Sequence, residues 1–224
     1  MKVALMITGL ARKVKEGYEN YWKYIIDNHD VDFYLHCWKD EEWEKVEEVY
    51  RNPKFIHVQK PFKFTEYRKG IESPNDDKSR PLEEYDVWGN FRTFPMFYSW
   101  EETYNALRVT RHKYDCVIRS RYDLGAGIDI DLNKLDMNLI NISNQHWPNS
   151  EITDDNLCIL NQKNADILFN DIFTEYIEHS KKIGYIEFAE KNFMNILKRK
   201  NLYHLVNKSN DLPFDLLRDN KLWY

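Results

Sequence analysis

The chain has 224 residues, 42% of them hydrophobic and 31% charged, with a formal net charge of −5. That length supports one sizeable core over residues 1–224 and leaves two separate domains cramped, and the hydrophobic share excludes a disordered chain. An acidic balance without a basic block argues against nucleic acid as the main partner, and no run approaches the ~20 apolar residues of a membrane span.

Val3 to Ile7 is an apolar run of the kind buried in a parallel sheet, closed by Thr8-Gly9-Leu10-Ala11-Arg12. The opening MKVALMITGL is too short an apolar run for a signal peptide. Tyr18, Tyr21, Trp22, Ile25 and Ile26 fall at helical spacing and predict a helix over 15–28. Val31 to Cys37 is a second strand with His36 and Trp38 at its end, 41–50 a helix stopped before Asn52-Pro53, and Phe55 to Val58 a third strand. This alternation with short connections opens a doubly wound α/β sheet.

Residues 60–84 are polar and turn-rich, with Ser73-Pro74-Asn75 and Arg80-Pro81, and read as a long loop that is either a lid or an ordered excursion. A helix over 96–111 leads into the strand Cys116-Val117-Ile118, then Arg119, Arg121, Asp123, Gly125 and Gly127. Further strands are expected at 139–142, 156–160 and 202–206, a loop at 147–153, and helices at 163–177 and 188–199. The three cysteines, Cys37, Cys116 and Cys158, lie far apart in strand-like runs without CxxC spacing. Reduced, buried thiols in a cytoplasmic protein are the expectation.

Charge at the end of a buried strand is costly unless it is paired or binds something, and ligands of open α/β sheets collect at the carboxyl ends of strands. Arg119 and Arg121 offer bidentate donors to phosphate, and Asp123 offers hard oxygen to Mg²⁺ or Mn²⁺. The residues therefore read either as a site for a metal-bound diphosphate or as an Arg–Asp ion pair capping the strand. Thr8, Gly9, Leu10 and Arg12 follow the first strand and open on the same edge; the turn is neither GxGxxG nor GxxxxGK[ST], so a dinucleotide fold or a P-loop is not supported. Trp38 reads as a stacking ring for a base or sugar, or as core, and His36 more readily as a structural residue than as a ligand. Asp129 and Asp131 alternate with apolar residues and either join Asp123 or form a solvated face. Asp154 and Asp155 precede a strand and read as a general base for a hydroxyl or as a turn pair.

These segments resemble a group of glycosyltransferases found in bacterial polysaccharide clusters and large DNA viruses. Thr8-Gly9-Leu10-Ala11-Arg12 and Asp32-Phe33-Tyr34-Leu35-His36-Cys37-Trp38 are similar to their openings, "ISGQPR…DVFIHTW". Met96-Phe97-Tyr98-Ser99 and Lys113 through Leu124 are similar to "QYYS…KYDYVIRxRFDL", 154–166 to a "DxFxxGxxxxM" block, and Glu187 to a later acidic position. The resemblance implies a single-domain GT-A-like fold, a mostly parallel sheet flanked by helices. It further implies a nucleotide-diphosphate sugar donor, a glycan or other hydroxyl acceptor, and Mn²⁺ or Mg²⁺ on an aspartate motif. On these positions Thr8, Gly9, Leu10, Arg12, Trp38, Arg119 and Arg121 would bind the nucleotide sugar, Asp123 the metal, and Asp154 or Asp155 would be the base if the reaction inverts. The chain departs from the usual DxD motif, with Arg121 where the first Asp stands, and has Asn161 where the later block often has Gly. A sugar nucleotidyltransferase and a non-catalytic carbohydrate-binding or scaffold domain are the alternatives.

Overall fold

The alternation of small and branched apolar residues along Val3 to Ile7 feeds two layers at once. Val3, Leu5 and Ile7 enter one core, Ala4 and Met6 the other, and all five are fully buried, as expected for a strand covered on both faces. The computed structural model of the chain describes residues 1–39, 42–72, 93–125, 130–144, 150–212 and 215–217. Its elements run β1 (Lys2–Leu10), α1 (Val14–Tyr24), β2 (Asp30–Trp38), α2 (Trp43–Val49) and β3 (Phe55–Gln59). They continue with α3 (Thr93–Thr110), β4 (Cys116–Ser120), β5 (Leu124–Gly125), β6 (Ile140–Ser143) and β7 (Cys158–Leu160). The last are α4 (Gln162–Phe169), α5 (Ile172–Ile183), α6 (Ala189–Arg199), β8 (Val206–Ser209) and β9 (Asp215–Leu216).

Seven strands form one sheet in the order β3-β2-β1-β4-β7-β6-β8, and β5 pairs with β9 in a small second sheet. All pairings in the large sheet are parallel except those made by β7, which runs antiparallel to β4 and β6. Residues of α3 through α6 fill the core on one face, and those of α1 and α2 fill it on the other. This is the α/β class expected from the sequence, a mostly parallel sheet flanked by helices. Among the described residues no helix is long and apolar enough to cross a membrane, and the three cysteines are buried free thiols.

Two expected elements differ. The helix expected over 163–177 is two helices, α4 and α5, separated at Asn170-Asp171, where Asp171 takes φ 54°. Asn and Asp tolerate that left-handed conformation and compete with helical hydrogen bonds. Lys200 Nζ donates to the Asn170 carbonyl at 2.7 Å, occupying an acceptor freed by the break. The strand expected over 202–206 begins only at Val206, after a short 3₁₀ turn at Tyr203–Leu205. The loop expected over 60–84 is described to Glu72 only. Up to there it is tied down: Phe62 and Phe64 join the aromatic core, and Glu72 bridges to the far segment through Glu72 N–H to Gly184 O (2.8 Å) and Ile186 N–H to Glu72 O (2.9 Å). Its Ser73-Pro74-Asn75 and Arg80-Pro81, together with Gly127, Asp129 and the start of the 147–153 loop, lie outside the described residues.

Candidate functional site

Parallel register decides which candidates meet. Thr8, Gly9 and Leu10 of β1 lie beside His36, Cys37 and Trp38 of β2, and Ile7 lies beside Ser120 at the end of β4. β7 enters the sheet from the same edge because it is antiparallel, with Cys158 opposite Arg119. Asp154, Asp155 and Asn156 precede β7 and so reach the same carboxyl edge as the end of β1 and Arg121 to Asp123. The candidates Thr8 to Leu10, His36, Trp38, Arg119, Arg121, Asp123, Asp154 and Asp155 thus map to one end of the sheet.

Strand β1 continues through Leu10, so Thr8 to Leu10 are paired strand residues and not the expected turn; Thr8 is buried, Leu10 half-buried and Arg12, just past the strand, exposed. Gly9 takes φ 115° and has no atom within 4 Å of where a Cβ would stand, so it combines a conformation closed to other residues with open space above the backbone. Trp38 is 1% exposed, packed edge-on to His36, Phe62 and Phe64 and tilted against Tyr98. Its indole is part of the core in this arrangement. His36 is fully buried; one ring nitrogen contacts Gln59 Oε1 at 3.0 Å, and burial lowers its pKa to about 4.

Arg121 and Asp123 form a forked ion pair. Arg121 Nε donates to Asp123 Oδ1 at 2.8 Å and a terminal nitrogen donates to Oδ2 at 3.0 Å, while the other terminal nitrogen donates to Asn156 Oδ1 at 2.9 Å. The Asp123 side chain is 4% exposed and that of Arg121 is 31% exposed. Burial works against the Arg121 charge, but Asp123 outweighs it and holds the guanidinium above its ordinary range. Arg119 is different. It is 2% exposed, its guanidinium carbon stands 3.6 Å from the centre of the Trp100 ring, and it donates to the Asp155 carbonyl. Its Nε has no partner, and burial lowers its pKa to about 9 despite the pull of Asp155. Among the described residues no carboxylate lies within 4.0 Å of it.

The two candidate bases are not equivalent. Asp154 Oδ1 accepts from the Asn156 backbone N–H at 2.8 Å and from its side-chain amide at 3.0 Å, an Asx turn. The Asp155 carboxylate, 7% exposed as a residue, accepts no hydrogen bond from any described residue. Burial raises its pKa to about 6, with Glu190 adding to the rise and Arg119 opposing it. A carboxylate so placed is a proton acceptor near neutral pH.

Helix α1 supports this edge from below. Tyr21 Oη lies 2.6 Å from Ser120 Oγ and donates to the Arg121 carbonyl at 2.5 Å. A Cβ on Gly17 would stand 1.9 Å from the Tyr122 carbonyl oxygen, so only glycine lets the helix approach the strand end this closely. Sequence reasoning passed over Gly17, Tyr21, Trp100, Asn156 and Glu190. Asn156 carries a local signal, its place directly after the Asp pair. The others come from separate elements and carry none. Asp131 caps a 3₁₀ turn through Asn133 and pairs with Lys134 at 3.5 Å, and Asn161 caps α4 through the Asn164 N–H at 2.8 Å. Glu187 is held by Lys191 (2.5 Å) and Asn195 (2.6 Å) beside His179.

The donor set was compared with the needs of a divalent cation, which takes several oxygen ligands. Among the described residues no group of three or more His, Cys, Asp and Glu side chains could hold a metal ion. Asp123, the expected ligand, has both oxygens committed to Arg121. The described residues therefore offer no all-protein cage for a cation. An open depression of about 550 Å³ lined by Lys113, Tyr114, Asn161, Gln162 and Asp166 lies at the opposite, amino end of β4 and does not include Arg119, Arg121, Asp123, Asp154 or Asp155.

No protein-family model matches the chain, and no curated protein matches it. Among solved structures, the apo form of the glycosyltransferase GlyE from Streptococcus pneumoniae TIGR4 is similar in fold, with a TM-score of 0.50 and 14% sequence identity. The match covers 93% of this chain and 45% of that one, so this chain spans under half the length of GlyE. At that identity the likeness establishes a shared fold: the seven-stranded sheet and its helices are arranged as in a glycosyltransferase.

Proposed function

We propose that this chain is a glycosyltransferase, moving a sugar from a nucleotide-diphosphate donor to a hydroxyl of a glycan or other acceptor. The observation that carries the reading is the meeting, at one carboxyl edge, of an open glycine near the end of β1, a part-exposed guanidinium and a buried carboxylate that accepts no hydrogen bond from the described residues. The fold shared with GlyE supports it, since that protein is a glycosyltransferase. In this reading the Thr8–Arg12 segment receives the nucleotide, with its backbone approached closely at Gly9.

Transfer breaks the bond between the anomeric carbon and the diphosphate oxygen, and the electron pair leaves with the diphosphate. Arg121 stabilises that growing charge from the strand end. The acceptor oxygen bonds to the anomeric carbon and, in an inverting reaction, gives its proton to Asp155. Arg119 fixes the loop carrying Asp155 by donating to its carbonyl, and Asp154 shapes the same loop through Asn156. Mn²⁺ or Mg²⁺, if held by Asp123, would supply Lewis-acid charge there.

Thermal-shift measurements with UDP, GDP, dTDP and their sugars test the reading. One nucleoside diphosphate is expected to raise the melting temperature of the protein and to lose that effect in Arg121→Ala. A panel in which none binds overturns it.

A further inference from the structure

We propose that the Arg121 guanidinium, in place of a divalent cation on Asp123, supplies the positive charge facing the donor's diphosphate. The inference rests on the glycosyltransferase reading above and deepens it. A metal at Asp123 would compete with the fork of Arg121, which engages both carboxylate oxygens at 2.8 and 3.0 Å in a side chain 4% exposed. Displacing that fork would set the cation beside an unpaired guanidinium on the same short segment, a like-charge arrangement. No group of described carboxylate, imidazole or thiol side chains offsets that loss.

Arg121 itself is built to receive an anion. A guanidinium has five N–H donors, and three of them go to Asp123 and Asn156. The remaining two belong to the terminal nitrogens, on a side chain 31% exposed at the edge where Gly9 lies. Asp123 and Asn156 fix the plane of the fork, so little side-chain entropy is lost when a phosphate docks against it. Arg119, buried with an unpartnered Nε, places a second guanidinium on the same strand end. Asp123 is then a positioning residue for Arg121, and the missing first Asp of the DxD pattern is the position that carries the charge.

The test is calorimetric titration of the full chain with UDP, GDP and dTDP, in excess EDTA and in Mn²⁺. The nucleoside diphosphate that binds is expected to do so in EDTA within about threefold of its affinity in Mn²⁺. Arg121→Lys, which keeps the charge but not the fork, is expected to weaken it by about tenfold or more in both media. Asp123→Asn, taken on folded protein as judged by circular dichroism, is expected to weaken binding to the same extent in EDTA and in Mn²⁺, because it loosens the Arg121 fork. Binding that requires Mn²⁺ and disappears in Asp123→Asn overturns the inference and leaves the glycosyltransferase reading standing. Where Asp123→Asn does not fold, Arg121→Lys decides alone: unchanged affinity in either medium overturns the inference. Absence of binding by every nucleotide in both media overturns the parent reading and this one with it.

Discussion

At the amino end of the sheet, Asp32 sits between Lys54 at 3.5 Å and Lys2 at 3.8 Å and accepts a hydrogen bond from Tyr114 Oη at 2.9 Å. Tyr114 in turn meets Tyr34 at 2.8 Å, and the Lys2 N–H donates to Asp115 at 2.8 Å. At the carboxyl end, Arg119 has an unpartnered Nε and no carboxylate in reach among the described residues, and Asp155 accepts no hydrogen bond from them. One end neutralises its charges with half-exposed lysines. The other buries an Arg119 Nε and an Asp155 carboxylate to which no described residue supplies a hydrogen-bond partner. Such groups cost stability unless a ligand or solvent completes them.

The largest effect that would break this contrast is at Asp155. Asp155→Asn keeps size and shape but removes basicity, and turnover is expected to fall by ~10²–10⁴ with nucleotide affinity unchanged. Asp154→Asn retains the oxygen that closes the Asx turn and is expected to keep most of its turnover. Steady-state kinetics on both variants checks this, and equal losses would erase the asymmetry between the two carboxylates. In the parent protein turnover is expected to rise with pH and level off above about 6, because the base must be deprotonated.

Gly17→Ala is expected to destabilise the protein by about 3 kcal/mol, since its Cβ meets main chain that must move. Urea unfolding measures the loss, and a change below about 0.5 kcal/mol would mean that α1 does not hold the strand end. The amino end sharpens the comparison with a smaller number. Asp32→Asn loses ion pairs to half-exposed lysines and is expected to cost about 1 kcal/mol with no effect on nucleotide binding.

A further effect concerns pH and stability. Burial raises the Asp155 pKa in the folded chain to about 6 from its ordinary 3.8. Between those values the folded state holds a proton that the unfolded state has lost, so this group's contribution to stability falls as pH rises through the window. Asp155→Asn is therefore expected to unfold at higher urea than the parent at pH 7, with the gap closing below about pH 4. A gap that does not change with pH would remove the buried charge from the account.

Much of the fold is legible in local pattern. The apolar runs Val3 to Ile7, Val31 to Cys37 and Cys116 to Ile118 announce buried strands, and the spacing of Tyr18, Tyr21 and Ile25 announces a helix, because periodicity is written over a few neighbouring residues. The break at Asn170-Asp171 was also written there, in two residues that favour it, but the apolar face running through Leu168, Ile172 and Tyr176 masks it. The small β5–β9 pair has no such signal, being two residues on each side joined across the chain.

The sequence by itself determined the strand and helix order, the absence of a P-loop or dinucleotide fingerprint, and the concentration of chemistry-bearing residues just past apolar runs. Tertiary structure decided what those residues are to one another. Trp38 became core because Phe62, Phe64 and Tyr98 close around it. Asp123 became the partner of Arg121, and Asp155 was separated from Asp154, because Asn156 and Arg119 reach across two strands that only the antiparallel entry of β7 brings together. Pairing, burial and pKa depend on distances in space, and a one-dimensional pattern carries those only within a few residues.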